Sequence, residues 1–114
     1  MEVSRGDIVL TDLDPEKGSE QGKTRPTLVI QNDTGNRHSP TTIIAPLTSS
    51  YTQIYPTDVE LKTENEDVDK DRKVMLNQIA TVDIDSRVEK KLGEISSSKM
   101  RKVDEAIKIS LGLK

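Results

Sequence analysis

The apolar positions of this 114-residue chain change period along its length, and the change separates two kinds of element. In the first two thirds they fall in short runs divided by turn residues. Gly6–Leu10 alternates weakly around Ile8 and Leu10, and the polar stretch Thr11–Gly22, with Pro15, Gly18 and Gly22, follows as a loop. Thr27-Leu28-Val29-Ile30 closes on Asn32-Asp33-Thr34-Gly35-Asn36, the pattern of a strand buried on both faces and then a turn. A second such run, Thr41–Thr48, contains Pro46, which has no N–H for a ladder and predicts a sheet edge or a bulge.

Thr57–Leu61 alternates as a half-exposed strand, and Thr63–Arg72, whose one apolar residue is Val68, reads as a solvated acidic loop. Val74-Met75-Leu76, Ile79 and Val82 supply two more short strands, or one bent strand, ended by Asp83 and Asp85. The period then becomes helical. Ser96-Ser97-Ser98 offers N-caps, Met100, Val103, Ile107 and Leu111 follow at i, i+3, i+4 spacing, and Gly112 is placed to stop the helix. Its outer face, with Lys99, Arg101, Lys102, Asp104, Glu105 and Lys108, reads as solvated surface. The fold class is mostly β with a C-terminal helix (α+β), a small antiparallel barrel or two-sheet domain, in a single domain over 1–114.

Composition narrows this picture. The apolar share is 32% and the aromatics are two, Tyr51 and Tyr55, so the core is thin and aliphatic. Such a core gains by burying a second surface against its own copy, at about 25 cal/mol per Å² of apolar area, which predicts a homodimer. No run approaches a bilayer span, and Met-Glu-Val-Ser-Arg-Gly-Asp lacks the order of a signal peptide, so a cytoplasmic protein with no membrane contact is expected. With no cysteine and one histidine, thiolate ligands, a multi-His zinc site and a His-pair nuclease are excluded. The acidic run Glu64, Glu66, Asp67, Asp69 and Asp71 lacks the ordered ligand-and-glycine pattern of a calcium loop. Neither metal nor cofactor is expected.

The net charge of −3 is unfavourable for a phosphate-rich partner, but the charge is unevenly distributed. Residues 17–38 carry four basic and two acidic groups, whereas 58–72 carry three and seven. The basic excess surrounds Gly22-Lys23-Thr24-Arg25-Pro26-Thr27-Leu28-Val29-Ile30. That block, with Arg5-Gly6-Asp7-Ile8-Val9-Leu10 before it, Pro46-Leu47-Thr48-Ser49 after it and the closing Val103-Asp104-Glu105-Ala106 to Ser110-Leu111-Gly112, resembles the MazF/PemK toxins over nearly the whole chain.

The resemblance implies an SH3-like small barrel that dimerises, cleaves single-stranded RNA at short sequence motifs and is silenced by a cognate antitoxin. Contact with DNA would be only indirect, through the antitoxin complex. Family catalytic roles map onto Arg25 and Thr48, and the polar loop Glu16–Thr24, with Ser19, Glu20, Gln21 and Lys23, resembles the family's mobile loop over the substrate channel. Ser49 and Gln78 join these as substrate-binding candidates, Gln78 for base edges. Many relatives carry a basic residue after Asn77-Gln78-Ile79, where this chain has Ala80.

The chemistry can be argued from the residue types. RNA brings its own nucleophile, the 2′-OH, so an enzyme need only align it, stabilise the anionic phosphorus centre and help protons move, giving a 2′,3′-cyclic phosphate and a 5′-OH. A guanidinium offers planar paired donors for phosphate oxygens, and because it holds its proton far above neutral pH it is an electrostatic group before a proton carrier. Thr48 would donate its hydroxyl to a phosphate oxygen. Glu20 is assigned to orienting Arg25, with proton acceptance as the alternative and an ordinary polar loop as the plain reading. Tyr51, Ile54 and Tyr55 follow Thr48, where a ring either stacks on an unpaired base or packs on the barrel. His38 is read as a turn residue. Two other classes are weaker: a gyrase poison of the same fold, which relies on an aromatic C-terminal tail, whereas this sequence ends Leu111-Gly112-Leu113-Lys114; and a proline-peptide adaptor, which needs an aromatic groove.

Overall fold

A computed structural model describes residues 1–15 and 17–114. Glu16, where the expected substrate loop begins, lies outside the described residues. Strand β1 (Asp7–Asp12) pairs antiparallel with β2 (Thr24–Val29), and β2 with β3 (Thr41–Thr48). The strands β4 (Asp58–Leu61), β5 (Arg72–Met75), β6 (Ala80–Asp83) and β7 (Val88–Glu94) complete a sheet of order β4-β5-β3-β2-β1-β7, with β6 also on β3. The sheet curls without closing, so the expected barrel is barrel-like, with β4 and β7 as unjoined ends. Helix α1 (Asp33–His38) joins β2 to β3, the single turn α2 (Ile84–Arg87) joins β6 to β7, and α3 (Ser97–Leu111) ends the fold.

Strands that are buried on both faces read as unbroken apolar runs, and Thr27–Ile30 is one: all four residues are buried. Ile8, Leu28, Ala45 and Leu47 point to one core with Val59, Leu61, Val74 and Leu76, which Val103 and Ala106 of α3 cover. Their neighbours Val9, Val29 and Ile44 point to a second, smaller core with Val82, Ile84 and Val88. Helix α3 starts where the serines predict, with the Ser96 side chain accepting the Lys99 N–H, and stops at Gly112 in the left-handed region (φ 73°). Leu111, expected on the inner face, is exposed; the covered face consists of Val103 and Ala106, with Met100 and Ile107 half in.

Several other elements differ from the sequence reading. The segment Asp33–His38 is a short helix rather than a turn, because the Asn32 side chain accepts the Gly35 N–H as an N-cap. β7 carries too few apolar residues to be read as a strand; it pairs only with β1, and Glu89, Lys90 and Lys91 face solvent along a sheet edge. Pro46 is not at an edge. It pairs with Thr27 on one side, and on the other it falls between the β6 register, which ends at Ile44, and the β5 register, which begins at Leu47. A residue without an N–H is tolerated where the strand changes partners.

The acidic segment 63–72 is exposed as expected, except at the half-buried Glu66, Val68 and Arg72. Val68 packs on the main core, Glu66 accepts both the N–H (2.8 Å) and the hydroxyl (2.7 Å) of Ser96, and Asp69 pairs with Arg72. A Cβ on Gly93 of β7 would lie 2.5 Å from the Asp67 carboxylate and 2.9 Å from its backbone oxygen. The segment therefore crosses the gap between the sheet's two ends.

Candidate functional site

The β2/β3 register pairs Val29 with Ile44 and Thr27 with Pro46. Continued by two residues along the same face, it sets Arg25 level with Thr48, so the two residues come together at the end of one cross-strand row. The Arg25 guanidinium is held from behind by carbonyls: Nε donates to Gly22 O at 2.9 Å and one terminal nitrogen to Leu47 O at 3.4 Å. Among the described residues no carboxylate pairs with it, so its charge and remaining donors stay available. Glu20 does not orient it. That carboxylate accepts the Lys17 N–H at 3.0 Å and closes a small turn, and the orientation expected from Glu20 is supplied by Gly22 and Leu47.

The Thr48 hydroxyl oxygen accepts the Ser50 N–H at 3.1 Å, and its own proton faces only a distant Ser50 carbonyl at 3.5 Å. It is positioned as an acceptor and retains its donor. Beneath this row the buried Thr11 and Thr27 hydroxyls meet at 2.9 Å, tying β1 to β2 directly behind Arg25.

A cleft of about 600 Å³ opens beside the row, with Ile44 and Pro46 in its wall and Ser19, Glu20, Gln21 and Gln78 around it. The loop that carries the first three reaches across to the β5–β6 turn, where the Gln21 N–H donates to Gln78 Oε1 at 3.0 Å. Four of the sequence-derived binding residues therefore share one cavity. Arg25, Thr48, Lys23 and Ser49 do not line it. Lys23 takes a left-handed backbone (φ 63°) and uses its main chain to close the loop, N–H to Asp14 at 2.5 Å and carbonyl to Leu13 at 2.9 Å, while Ser49 is exposed beyond Thr48. Ala80 lines the cleft, and Glu20 and Arg87 are the charged residues around it. His38 ends α1, apart from this cleft.

Two residues escaped the sequence reading. Arg87, at the end of α2, donates to the carbonyls of Asp12 (3.0 Å) and Asp14 (2.5 Å) and fastens the root of the loop, more than 70 residues away in sequence. Lys73 of β5 pairs in register with Thr48 and is buried against Asp58 at 2.7 Å. Neither stands in a recognisable motif, because each acts through a pairing that only the folded sheet creates. Tyr51 packs and bonds inward: its hydroxyl donates to Glu60 at 2.7 Å, and burial, then that bond, push its pKa up to about 12.

The sequence profile of the PemK-like, MazF-like toxins of type II toxin-antitoxin systems matches residues 4–111. The chain belongs to this toxin family. A relative from Staphylococcus epidermidis, Endoribonuclease MazF, is 48% identical over 112 residues, 97% of this chain and 92% of its own. Among solved structures, MazF from Deinococcus radiodurans superposes with a TM-score of 0.86 at 25% identity, covering 99% of both chains. A mycobacterial endoribonuclease in complex with its cognate antitoxin superposes at 0.80 and 26% identity, over 98% of this chain and 97% of that one. The family likeness spans both halves of the site, since the matched stretch contains the Arg25 strand, the Thr48 strand and the cleft loop.

Proposed function

We propose that this chain is an endoribonuclease toxin that cuts single-stranded messenger RNA without a metal, by aiming the substrate's 2′-OH at the adjoining phosphorus. What supports this reading is the Arg25–Thr48 row: a guanidinium with no carboxylate partner among the described residues, on the same sheet face as a hydroxyl with a donor to give, beside the cleft that Pro46 walls. Arg25 stabilises the charge that gathers on the phosphate oxygens, Thr48 donates to one of them, and the loop with Gln78 holds the flanking nucleotides. The products are a 2′,3′-cyclic phosphate and a 5′-OH.

The activity is tested by incubating the protein with a long single-stranded RNA in EDTA. Discrete fragments ending in cyclic phosphate are expected, and a single 2′-deoxy substitution at the cleaved nucleotide should block that cut. Intact RNA, or cleavage that survives Arg25→Ala, defeats the reading. A cognate antitoxin would lay an acidic and apolar extended segment over the basic surface around Arg25, excluding RNA by occupying it; DNA is reached only through that complex. The chain acts as a homodimer in the cytoplasm, where its substrate is made and used. No observation favours poisoning of gyrase.

A further inference from the structure

Thr48 stands beside a small aromatic cluster that the reaction described above does not use. Lys73, its register partner on β5, is buried, and its ammonium is shared among the Asp58 carboxylate (2.7 Å), the Gln53 carbonyl (3.1 Å) and two rings, with centroids 5.0 Å away for Tyr55 and 5.8 Å for Tyr51. Asp58 also accepts the Tyr55 N–H at 2.9 Å. The backbone and one face of Tyr55 are thus fixed to a single buried ion pair, yet the residue remains 56% exposed. Tyr51 is the inward ring and Tyr55 the outward one. In a chain with two aromatic residues and a thin core, leaving one outside forgoes burial that the core could use.

We propose that Tyr55 is a stacking platform for an unpaired nucleobase next to the cleaved phosphate, with Lys73 and Asp58 as the positioning residues that set its ring. The inference rests on the RNA-cleaving reading and extends it to specificity. A planar base fits the surroundings. The chain on the N-terminal side of Tyr55 exposes Ser49, Ser50, Thr52 and Gln53, whose hydroxyls and amide match the polar edges of a base, with Ile54 as the exposed aliphatic residue of that stretch. The ammonium behind the ring draws π-density towards itself and favours stacking of an electron-rich base on the other side. The preference it confers is for a base that stacks well, read without hydrogen bonds.

The chain has no tryptophan, so Tyr55→Trp installs a single fluorescent reporter at the site. Titrated with a single-stranded RNA made uncleavable by one 2′-deoxy nucleotide, this variant should be quenched, and the quenching should vanish when one particular flanking base is replaced by an abasic residue. Tyr55→Ala in the active enzyme should raise KM by roughly 10- to 100-fold with little change in kcat, whereas Tyr55→Phe and Tyr55→Trp retain the native KM. Lys73→Met should raise KM in the native background and add nothing in Tyr55→Ala. Unquenched binding, a native KM for Tyr55→Ala, additive effects of the Lys73 and Tyr55 changes, or quenching by an antitoxin peptide but not by RNA would each overturn the proposal. A native protein that leaves RNA intact would instead remove the activity on which it rests.

Discussion

At the scale of single residues, Arg25 and Thr48 have unequal parts. Arg25 brings a fixed charge on a carbonyl-held scaffold, so Arg25→Ala should lower kcat by about 10²–10³, with Arg25→Lys recovering only a fraction because an ammonium cannot make the paired contact. Thr48→Val, which keeps the shape and loses the donor, removes one hydrogen bond to a charged oxygen, about 1–3 kcal/mol, and should slow turnover by a correspondingly smaller factor. Single-turnover rates on one defined oligonucleotide check both. Tyr51 gives a prediction independent of catalysis. Its raised pKa means that the folded state favours the neutral phenol, so this contribution to stability is complete below pH 10 and is lost as pH rises towards 12. Denaturant melts across that window should show a falling stability that Tyr51→Phe makes shallower, and the tyrosinate absorbance step near pH 12 should disappear with it.

At the scale of elements, what could be read in advance followed from burial. β2 and β3 face a core on both sides and show it as unbroken apolar runs; α3 shows it as a helical period with caps at both ends. β7 has one neighbour and a charged edge, and α1 is nucleated by one cap residue, so neither left a periodic trace. Of the candidate site, the sequence pointed to Arg25, Thr48 and Gln78 through short blocks, and it gave no sign of Arg87 and Lys73, where distant backbone meets side chain. Glu20 is near Arg25 in sequence without touching it, because the carbonyls of Gly22 and Leu47 hold the guanidinium and the carboxylate closes its own turn at Lys17. Arg87 provides the elemental test. Because it fastens the loop through two main-chain carbonyls, Arg87→Ala should loosen that loop and raise KM more than it lowers kcat, with faster amide exchange at Gln21, whose N–H bonds to Gln78.

At the scale of the molecule, the basic and acidic halves occupy different work. Of the four basic groups of 17–38, Lys23 and Arg25 sit where the cleft loop enters β2 and Arg37 lies on α1, while the seven acidic groups of 58–72 lie on the β4–β5 side, where several of them pair with Ser96, Arg72, Lys62 and Lys73. A net charge of −3 is therefore compatible with the phosphate site proposed at Arg25, and RNA affinity should fall steeply with salt although the protein as a whole is acidic. Sedimentation at micromolar concentration should return twice the mass of one chain; a mass of one chain would contradict the dimer.

The segment 62–71 decides how such a molecule comes apart. Two sheet ends that share no ladder are clasped by a handful of side-chain contacts and one close backbone approach over Gly93. Gly93→Ala would push that clasp outward and should lower the unfolding free energy by about 1–3 kcal/mol in a urea titration. Short of global unfolding, the molecule has a seam: a curved sheet with one line along which to part, between β4 and β7, while the β2–β3 ladder at its centre stays paired.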